Sequence, residues 1–237
     1  MVFTPTFYRA EKLKEKCSFL SITTDDDNEL EGVIYEPAEM KSTLLFFSGR
    51  SHDVVGLINK LSKAYPSSRV ISFNYRSYGK STGKVSEEKI LSDGVKIAEL
   101  VEKNYGEFFL LGYSLGSNVA SYVASKRDVK ALFLVGAFDS IASLAKSKFV
   151  DKGFFPMIDL SKVFRYKLQT GEYVQNVDAD TYLFVSRSDE TTYIENARLL
   201  EMHVKNLVLS IELDNLNHEE LLWDREVIDK IKSVISA

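Results

Sequence analysis

Ser114 stands in a segment whose residue types suit nucleophilic catalysis. The segment reads Gly112-Tyr113-Ser114-Leu115-Gly116, which fits the pattern G-x-S-x-G, and it follows a buried apolar run and precedes a helix start. Glycines on either side leave room for a strained strand-to-helix turn that exposes the serine hydroxyl at the edge of a sheet. We therefore predict Ser114 as a nucleophile, with Gly112 and Gly116 in structural roles; the alternative is a plain turn serine.

A serine hydroxyl needs a base to remove its proton and an acid to orient that base, and in chains with this motif they follow in the order serine, acid, histidine. Asp189 comes just after a predicted strand, and His218 stands in the loop before the last predicted helix. We predict Asp189 as the acid and His218 as the base. Asp189 could instead only cap a helix near Thr191, and Glu190 or Asp139 could serve as the acid.

Attack on a carbonyl carbon places negative charge on its oxygen, which backbone amides can stabilise. One donor is expected from the residue after the nucleophile, Leu115, and a second from the loop after the first central strand. That loop includes Gly49, Arg50 and Ser51. We predict the Arg50 N–H as the second donor, with Ser51 as the next candidate. An ordinary β/α loop with Gly49 at a turn is the alternative.

The hydrophobic pattern predicts the elements that would hold these residues. Two short alternating segments, residues 18–24 and 30–35, flank a polar turn and predict an antiparallel hairpin. After them, apolar runs alternate with helical periodicity, which predicts parallel strands with crossover helices. The runs are residues 43–47, 69–73, 108–113, 131–135, 182–185 and 207–213. The order predicts an α/β fold with a mostly parallel central sheet of about eight strands and helices on both faces.

Helical periodicity follows Asp53, and it also follows Ser86, which is a candidate N-cap. Further helices are expected after Ser114, near Thr191 and after His218. The last of these has apolar residues on one face: Ile228, Ile231 and Ile235. No linker divides the chain, so we expect one domain over residues 1–237, with residues 137–180 as a short insert or minimal lid.

Composition excludes several classes of partner. The formal net charge is −4 and the basic residues are scattered, which argues against nucleic acid. Cys17 is the single cysteine, and the histidines His52, His203 and His218 are dispersed, so we expect no disulfide, no metal and no cofactor. The first residues lack a signal-peptide pattern and no apolar run of ~18 residues occurs, so we expect a cytoplasmic protein without an integral membrane segment.

At these residues the chain resembles the α/β-hydrolase superfamily, and it looks closest to its small, lidless intracellular serine hydrolases. A second match is residues 74–83, Asn-Tyr-Arg-Ser-Tyr-Gly-Lys-Ser-Thr-Gly, followed by the Ser-Glu-Glu of residues 86–88. The chain departs from the family pattern at three places. Ser48 replaces the histidine of a His-Gly pair, Asn74 replaces a common aspartate, and Ser-Arg-Ser precedes Asp189 in place of His-Gly-x-x. These changes weaken any transfer of oxyanion-loop geometry and of substrate preference.

The resemblance implies hydrolysis of a small-molecule carboxylic ester or thioester through an acyl-enzyme. Apolar side chains between residues 137 and 166 could line an acyl pocket or simply pack on the sheet: Phe138, Ile141, Leu144, Phe149, Phe154, Phe155, Met157, Ile158 and Phe164. A non-catalytic binding module of the same fold, or a peptidase or amidase, remains an alternative. A phosphate-binding loop at residues 78–81 is disfavoured, because Asn74 stands where its first glycine is required.

Overall fold

Eight strands form one sheet in the computed structural model, which describes residues 2–7, 13–151, 153 and 162–236. The strands are β1 (Cys17–Thr23), β2 (Glu29–Tyr35), β3 (Ser42–Phe47), β4 (Ser68–Phe73), β5 (Phe109–Tyr113), β6 (Ala131–Val135), β7 (Asp180–Ser186) and β8 (Leu207–Leu213). Their order across the sheet is β1-β2-β4-β3-β5-β6-β7-β8. The prediction of a single central sheet of about eight strands is confirmed.

Strand direction divides the sheet into two parts. β1 pairs with β2, and β2 with β4, in antiparallel fashion, whereas all pairs from β4 to β8 are parallel. The parallel strands are rich in Leu, Phe and Val and are buried along most of their length, except for β8 at the edge. Because parallel strands end at one edge of the sheet, the loops that follow them meet there.

Eight helices occur within the described ranges and cover both faces of the sheet. They are α1 (Val54–Ala64), α2 (Glu87–Tyr105), α3 (Leu115–Ala124), α4 (Ile141–Asp151), α5 (Thr170–Val174), α6 (Ile194–Glu201), α7 (His218–Trp223) and α8 (Arg225–Ile235). One apolar core lies between the sheet and α2, α3, α5 and α6, and a second between the sheet and α1, α7 and α8. The two cores explain why the central strands are apolar on both sides.

Two of the predicted helices differ from those in the structure, and α4 and α5 are additional to the predicted ones. The helix expected near Thr191 begins at Ile194. The single helix expected after His218 is two helices, and His218 is itself the first residue of α7. Asp224 causes the break, because its backbone is extended and its carboxylate accepts hydrogen bonds from the first amides of α8.

Residues 137–180 contain α4 and α5, and their role as an insert or minimal lid stays a prediction. Four of the apolar residues named above lie outside the described residues: Phe154, Phe155, Met157 and Ile158. Within the described ranges, no helix has the length and apolar character needed to cross a bilayer. The same ranges hold no group of three or more His, Cys, Asp or Glu side chains arranged to bind a metal ion.

Candidate active site

Ser114 lies on a sharp turn between β5 and α3, at the middle of the sheet. Its backbone has φ 54° and ψ −117°, a left-handed conformation that is rare for a residue with a side chain. A Cβ atom at Gly116 would stand 1.9 Å from the Phe47 carbonyl oxygen, and one at Gly112 would stand 2.6 Å from the Gly116 carbonyl oxygen. Both positions therefore require glycine, as the sequence predicts for a strained turn of this kind.

The structure brings Ser114, His218 and Asp189 together at the carboxyl edge of the sheet. His218 Nε2 lies 2.8 Å from Ser114 Oγ, and His218 Nδ1 lies 2.6 Å from Asp189 Oδ2. With the proton on Nδ1, the imidazole donates to the carboxylate and accepts from the serine hydroxyl. This is the arrangement in which a histidine can take a proton from serine as the oxygen attacks.

The two carboxylate oxygens of Asp189 have different hydrogen-bond partners. Oδ1 accepts hydrogen bonds from the amides of Thr191 and Thr192, at 2.7 and 2.9 Å, while Oδ2 faces His218 and also accepts from Thr192 Oγ1 at 2.7 Å. Asp189 caps no helix, because α6 begins at Ile194 with Tyr193 as its N-cap; its bonds to Thr191 and Thr192 hold the loop before α6. Burial raises the pKa of Asp189, but the hydrogen bonds from His218 and Thr192 outweigh it and hold the pKa below its ordinary value.

The other candidate acids have different surroundings. Asp139 Oδ1 lies 2.9 Å from Nδ1 of His203, which follows the end of α6. Glu190 is exposed and lines the cavity described below. Neither carboxylate has a described hydrogen bond with His218, whereas Asp189 has one. The geometry therefore favours Asp189 over both alternatives.

Tyr113 contacts His218 through its ring and its hydroxyl, and the sequence does not predict either contact. Its ring lies against the imidazole with the centroids 5.1 Å apart, and its hydroxyl donates to the His218 carbonyl oxygen at 2.9 Å. Its other neighbour is His52, with centroids 5.5 Å apart. Burial lowers the pKa of His52, which favours a neutral ring beside His218. Because Tyr113 is a variable position of the motif, only coordinates could identify this contact.

The two predicted oxyanion donors belong to different segments, the start of α3 and the loop between β3 and α1. Leu115 is the first residue of α3, so its N–H is one of the amides that a helix leaves without an internal partner. Arg50 lies in the loop between β3 and α1, and Gly49, Arg50 and Ser51 line the same cavity as Ser114 and Leu115. Their role as donors stays a prediction.

A cavity of about 820 Å³ opens over Ser114 and His218. Apolar side chains from α4, from the segments on either side of it and from the N-terminal segment line one part: Val2, Phe138, Ile141, Leu144, Ala145 and Leu168. Polar and charged side chains line the rest: Arg50, Ser51, Lys148, Ser188, Glu190, Thr191, Asn217 and Glu219. Of the apolar residues that the sequence offers for an acyl pocket, Phe138, Ile141 and Leu144 line this cavity. Phe149 and Phe164 are not part of the lining.

Comparison with known proteins identifies relatives of this chain. A sequence profile described as the alpha/beta hydrolase fold matches residues 43–169, which is more than half of the chain. An uncharacterized protein of Acanthamoeba polyphaga mimivirus is 25% identical over 201 residues, which cover 77% of this chain and 68% of that protein. An alpha/beta hydrolase domain-containing protein of Caenorhabditis elegans is 33% identical over 98 residues, which cover 39% of this chain and 30% of that protein.

Solved structures give the same fold. An esterase of Pyrococcus furiosus superposes with a TM-score of 0.73 and 17% sequence identity, over 99% of this chain and 97% of that one. At this level of identity the likeness concerns the fold alone.

Proposed function

The chain belongs to the α/β-hydrolase fold family, and we propose that it is a serine hydrolase that cleaves a carboxylic ester or thioester. One observation carries the proposal, namely the continuous set of contacts from Ser114 Oγ to His218 Nε2 at 2.8 Å and from His218 Nδ1 to Asp189 Oδ2 at 2.6 Å. The buried carboxylate keeps the imidazole in the orientation and tautomer that a general base requires.

In the proposed reaction, Ser114 Oγ attacks the carbonyl carbon of the substrate while its proton moves to His218 Nε2. The amides of Leu115 and Arg50 hold the negative oxygen of the tetrahedral intermediate. The bond from carbon to the leaving oxygen or sulfur then breaks, and His218 gives its proton to the leaving group. Water attacks the acyl-enzyme with the same base, which releases the acid and restores the serine.

The cavity supports a substrate with one apolar and one polar end. The acyl chain would lie against the apolar wall that includes Ile141, Leu144 and Leu168, where burial of each methylene contributes about 0.8 kcal/mol. The alcohol or thiol part would lie toward the polar wall at Asn217 and Glu219. Within this proposal, residues 137–180 form an insert of a single domain whose α4 supplies part of the acyl wall.

The first test is Ser114→Ala, assayed with p-nitrophenyl esters from acetate to palmitate and with acyl-CoA thioesters. We expect turnover to fall by roughly 10⁴-fold or more, because the remaining groups lack a nucleophile. The wild-type protein should be labelled at Ser114 by a fluorophosphonate and the variant should not.

Circular dichroism of Ser114→Ala serves as the control for folding. Normal hydrolysis by the folded variant would remove Ser114 from the mechanism. A wild-type protein that neither reacts with the probe nor hydrolyses any of these substrates would instead fit a non-catalytic member of the fold.

A further inference from the structure

Two tyrosine hydroxyls from the loop after β4 bind the loop that contains Arg50. Tyr75 Oη donates to the Ser48 carbonyl oxygen at 2.8 Å, and Tyr78 Oη donates to the Arg50 carbonyl oxygen at 2.5 Å. Both side chains are buried, with 5% and 0% of their surface exposed. The peptide unit that joins Gly49 to Arg50, and carries the Arg50 N–H, lies between these two carbonyls. Tyr75 and Tyr78, which we call the tyrosine pair, therefore hold the loop on both sides of that unit.

We propose that the tyrosine pair positions the Arg50 N–H as an oxyanion donor, an inference that rests on the proposed hydrolase function. Each peptide unit is planar and rotates as a whole, so fixing the carbonyls of Ser48 and Arg50 restricts the unit between them. A rotation of that unit would turn the Gly49 carbonyl toward the cavity and place a negative dipole where negative charge develops. A donor held in advance avoids this reorganisation during the reaction.

The tyrosine pair is itself held rigidly. The rings pack edge to face with centroids 5.6 Å apart, and the Tyr78 amide donates to the Tyr75 carbonyl at 2.9 Å, which closes a turn. Between them, the buried guanidinium of Arg76 donates to both oxygens of Asp93 on α2, at 2.7 and 2.8 Å. A charged hydrogen bond of this kind, inside the protein, fixes the turn that carries both rings.

Asn74 connects the same loop to the other end of the Arg50 segment. Its Oδ1 accepts from the amide of Val54, the first residue of α1, at 2.9 Å, and its Nδ2 donates to Asp53 Oδ1 at 2.9 Å. Gly79 makes room for this contact, because a Cβ there would stand 2.2 Å from Asn74 Nδ2. Residues 74–79 therefore contact the loop between β3 and α1 at its start, at its middle and at its end.

Thr4 completes the hydrogen bonding of Tyr78. Its amide lies 2.9 Å from Tyr78 Oη and 3.2 Å from the Arg50 carbonyl oxygen, so it donates to both. Burial raises the pKa of Tyr78 to about 12, which outweighs the Thr4 amide and the Arg50 charge. The hydroxyl thus keeps its proton and remains a donor at neutral pH.

The test compares Tyr75→Phe, Tyr78→Phe and the double variant with the wild type. Each change removes one hydroxyl and keeps the ring, so we expect kcat to fall by about 10-fold in each single variant, less than the ~10²-fold loss on removing an oxyanion donor outright. KM should stay unchanged, and the shape of the pH profile should be kept because His218 and Asp189 are untouched. Affinity for a trifluoromethyl ketone, whose serine adduct carries an oxyanion, should fall in parallel with kcat.

Tyr35→Phe is the matched control. Tyr35 Oη also donates to a backbone carbonyl, that of Pro66, at 3.0 Å, but neither residue lies in the cavity lining. We expect this variant to behave as the wild type does. Thr4→Pro is a second probe at an exposed position, since it removes the amide shared by Tyr78 and Arg50, and it should lower kcat by a few-fold.

Hydrogen exchange separates this inference from the proposed function. Amides of residues 48–51 should exchange faster in the double variant than in the wild type, whether or not the protein hydrolyses any substrate. An unchanged exchange rate there would overturn the positioning role. If the wild type is an active hydrolase, a folded double variant with unchanged kcat, or with a change in KM alone, would also overturn it. If the wild type is inactive and is not labelled at Ser114, the proposed function fails, and the exchange result alone decides whether the tyrosine pair holds the loop.

Discussion

At the scale of single residues, the orientation of His218 is fixed by contacts from several directions. Asp189 and Thr192 lie at its Nδ1, at 2.6 and 3.3 Å, and Tyr113 covers one face of the ring. Gly136 lies close to the ring as well, because a Cβ atom there would stand 2.9 Å from His218 Cε1. The imidazole therefore has little room to rotate away from Ser114.

We expect Gly136→Ala to displace the His218 ring and to lower the rate of ester hydrolysis by about 10²-fold, the size of effect that follows a shift of ~1 Å in a reacting group. The control is Gly106→Ala. Both glycines have positive φ, 57° and 77°, but nothing lies within 4 Å of a Cβ at Gly106. Both variants should lose ~1 kcal/mol of stability from backbone strain, and only Gly136→Ala should lose activity. Equal rates in the two variants would contradict the crowding of His218.

The candidate site could be predicted from sequence only as far as its residues follow local patterns. Ser114 has glycines at fixed offsets, and Asp189 and His218 follow recognisable strands in the expected order. Tyr113 and Thr192 carry no such signal, because the first is a variable position of the motif and the second is one threonine among many. Their contacts with His218 depend on how distant segments meet in space, which one sequence does not specify.

At the scale of elements, α4 supplies much of the apolar wall of the cavity. Ile141, Leu144 and Ala145 lie at helical spacing and all line it. Ala145 is the smallest of these side chains. The depth of the proposed acyl pocket thus depends on the side chain at residue 145.

We expect Ala145→Phe to fill part of the cavity and to shift the substrate preference toward shorter acyl chains. Each methylene that can no longer be buried should cost about 0.8 kcal/mol, so kcat/KM for a long-chain p-nitrophenyl ester should fall by ~10-fold or more while that for the acetate stays close to the wild-type value. The matched control is Ala142→Phe, on the same helix but outside the cavity lining. A uniform loss across all chain lengths would argue against α4 as the acyl wall.

Glu212 on the edge strand β8 forms ion pairs with Arg187, which directly follows β7, and with Arg198 on α6. Glu212 accepts hydrogen bonds from Arg198 at 2.7 and 2.9 Å and from Arg187 at 2.9 Å. The bonds with Arg198 are the main cause that lowers the pKa of Glu212 to about 2; burial acts in the opposite direction, and the bond with Arg187 lowers the pKa further. Charges along an edge strand also discourage pairing with another sheet.

We expect these ion pairs to make the stability of the folded protein depend on pH. The folded pKa of Glu212 lies below that of the unfolded chain, so its contribution is present above the unfolded pKa and is lost as pH falls toward 2. Exposed pairs of this kind contribute ~0.2–1 kcal/mol, so Glu212→Gln should be less stable than the wild type by about that amount at pH 6. Thermal unfolding at several pH values should show the two curves converging near pH 2. A difference that is the same at pH 6 and near pH 2 would exclude this assignment.

The elements themselves were largely predictable, since buried strands and amphipathic helices repeat apolar residues at fixed spacing. β3, β4, β6 and β8 agree with the apolar runs to within a residue. The sequence does not predict the break between α7 and α8, because Asp224 lies inside a helical pattern and its role as an N-cap depends on where the chain turns. A single sequence gives a weak signal for such a boundary.

At the scale of the whole molecule, Arg76 connects parts that are far apart in the chain. Its side chain, 3% exposed, pairs with Asp93 on α2 and with Asp26 in the turn between β1 and β2. The antiparallel hairpin, the loop after β4 and a helix on one face of the sheet are thereby held together. The hydrophobic pattern predicts each of these parts, but their joint contact with one arginine has no signal in the sequence.

We expect Arg76→Leu to lower the free energy of unfolding by about 3–5 kcal/mol, because it leaves the carboxylate of Asp93 buried without its partner. Replacing both residues, as in Arg76→Leu with Asp93→Leu, should restore much of the loss. The control is Lys96→Leu, which breaks an exposed ion pair with Asp25 and should cost under about 1 kcal/mol. Urea unfolding measures all three. A double variant no more stable than Arg76→Leu would show that the cost does not come from the unpaired carboxylate.

The bend at residue 114 has a consequence for which side chains this position can hold. Crowding around two neighbouring glycines imposes the bend, and the hydroxyl of the serine takes no part in forming it. The turn therefore does not depend on which atom the side chain of residue 114 carries, and a thiol at this position would lie beside the imidazole of His218. Ser114→Cys would thus replace the atom that attacks in the proposed mechanism and leave the architecture around it unchanged.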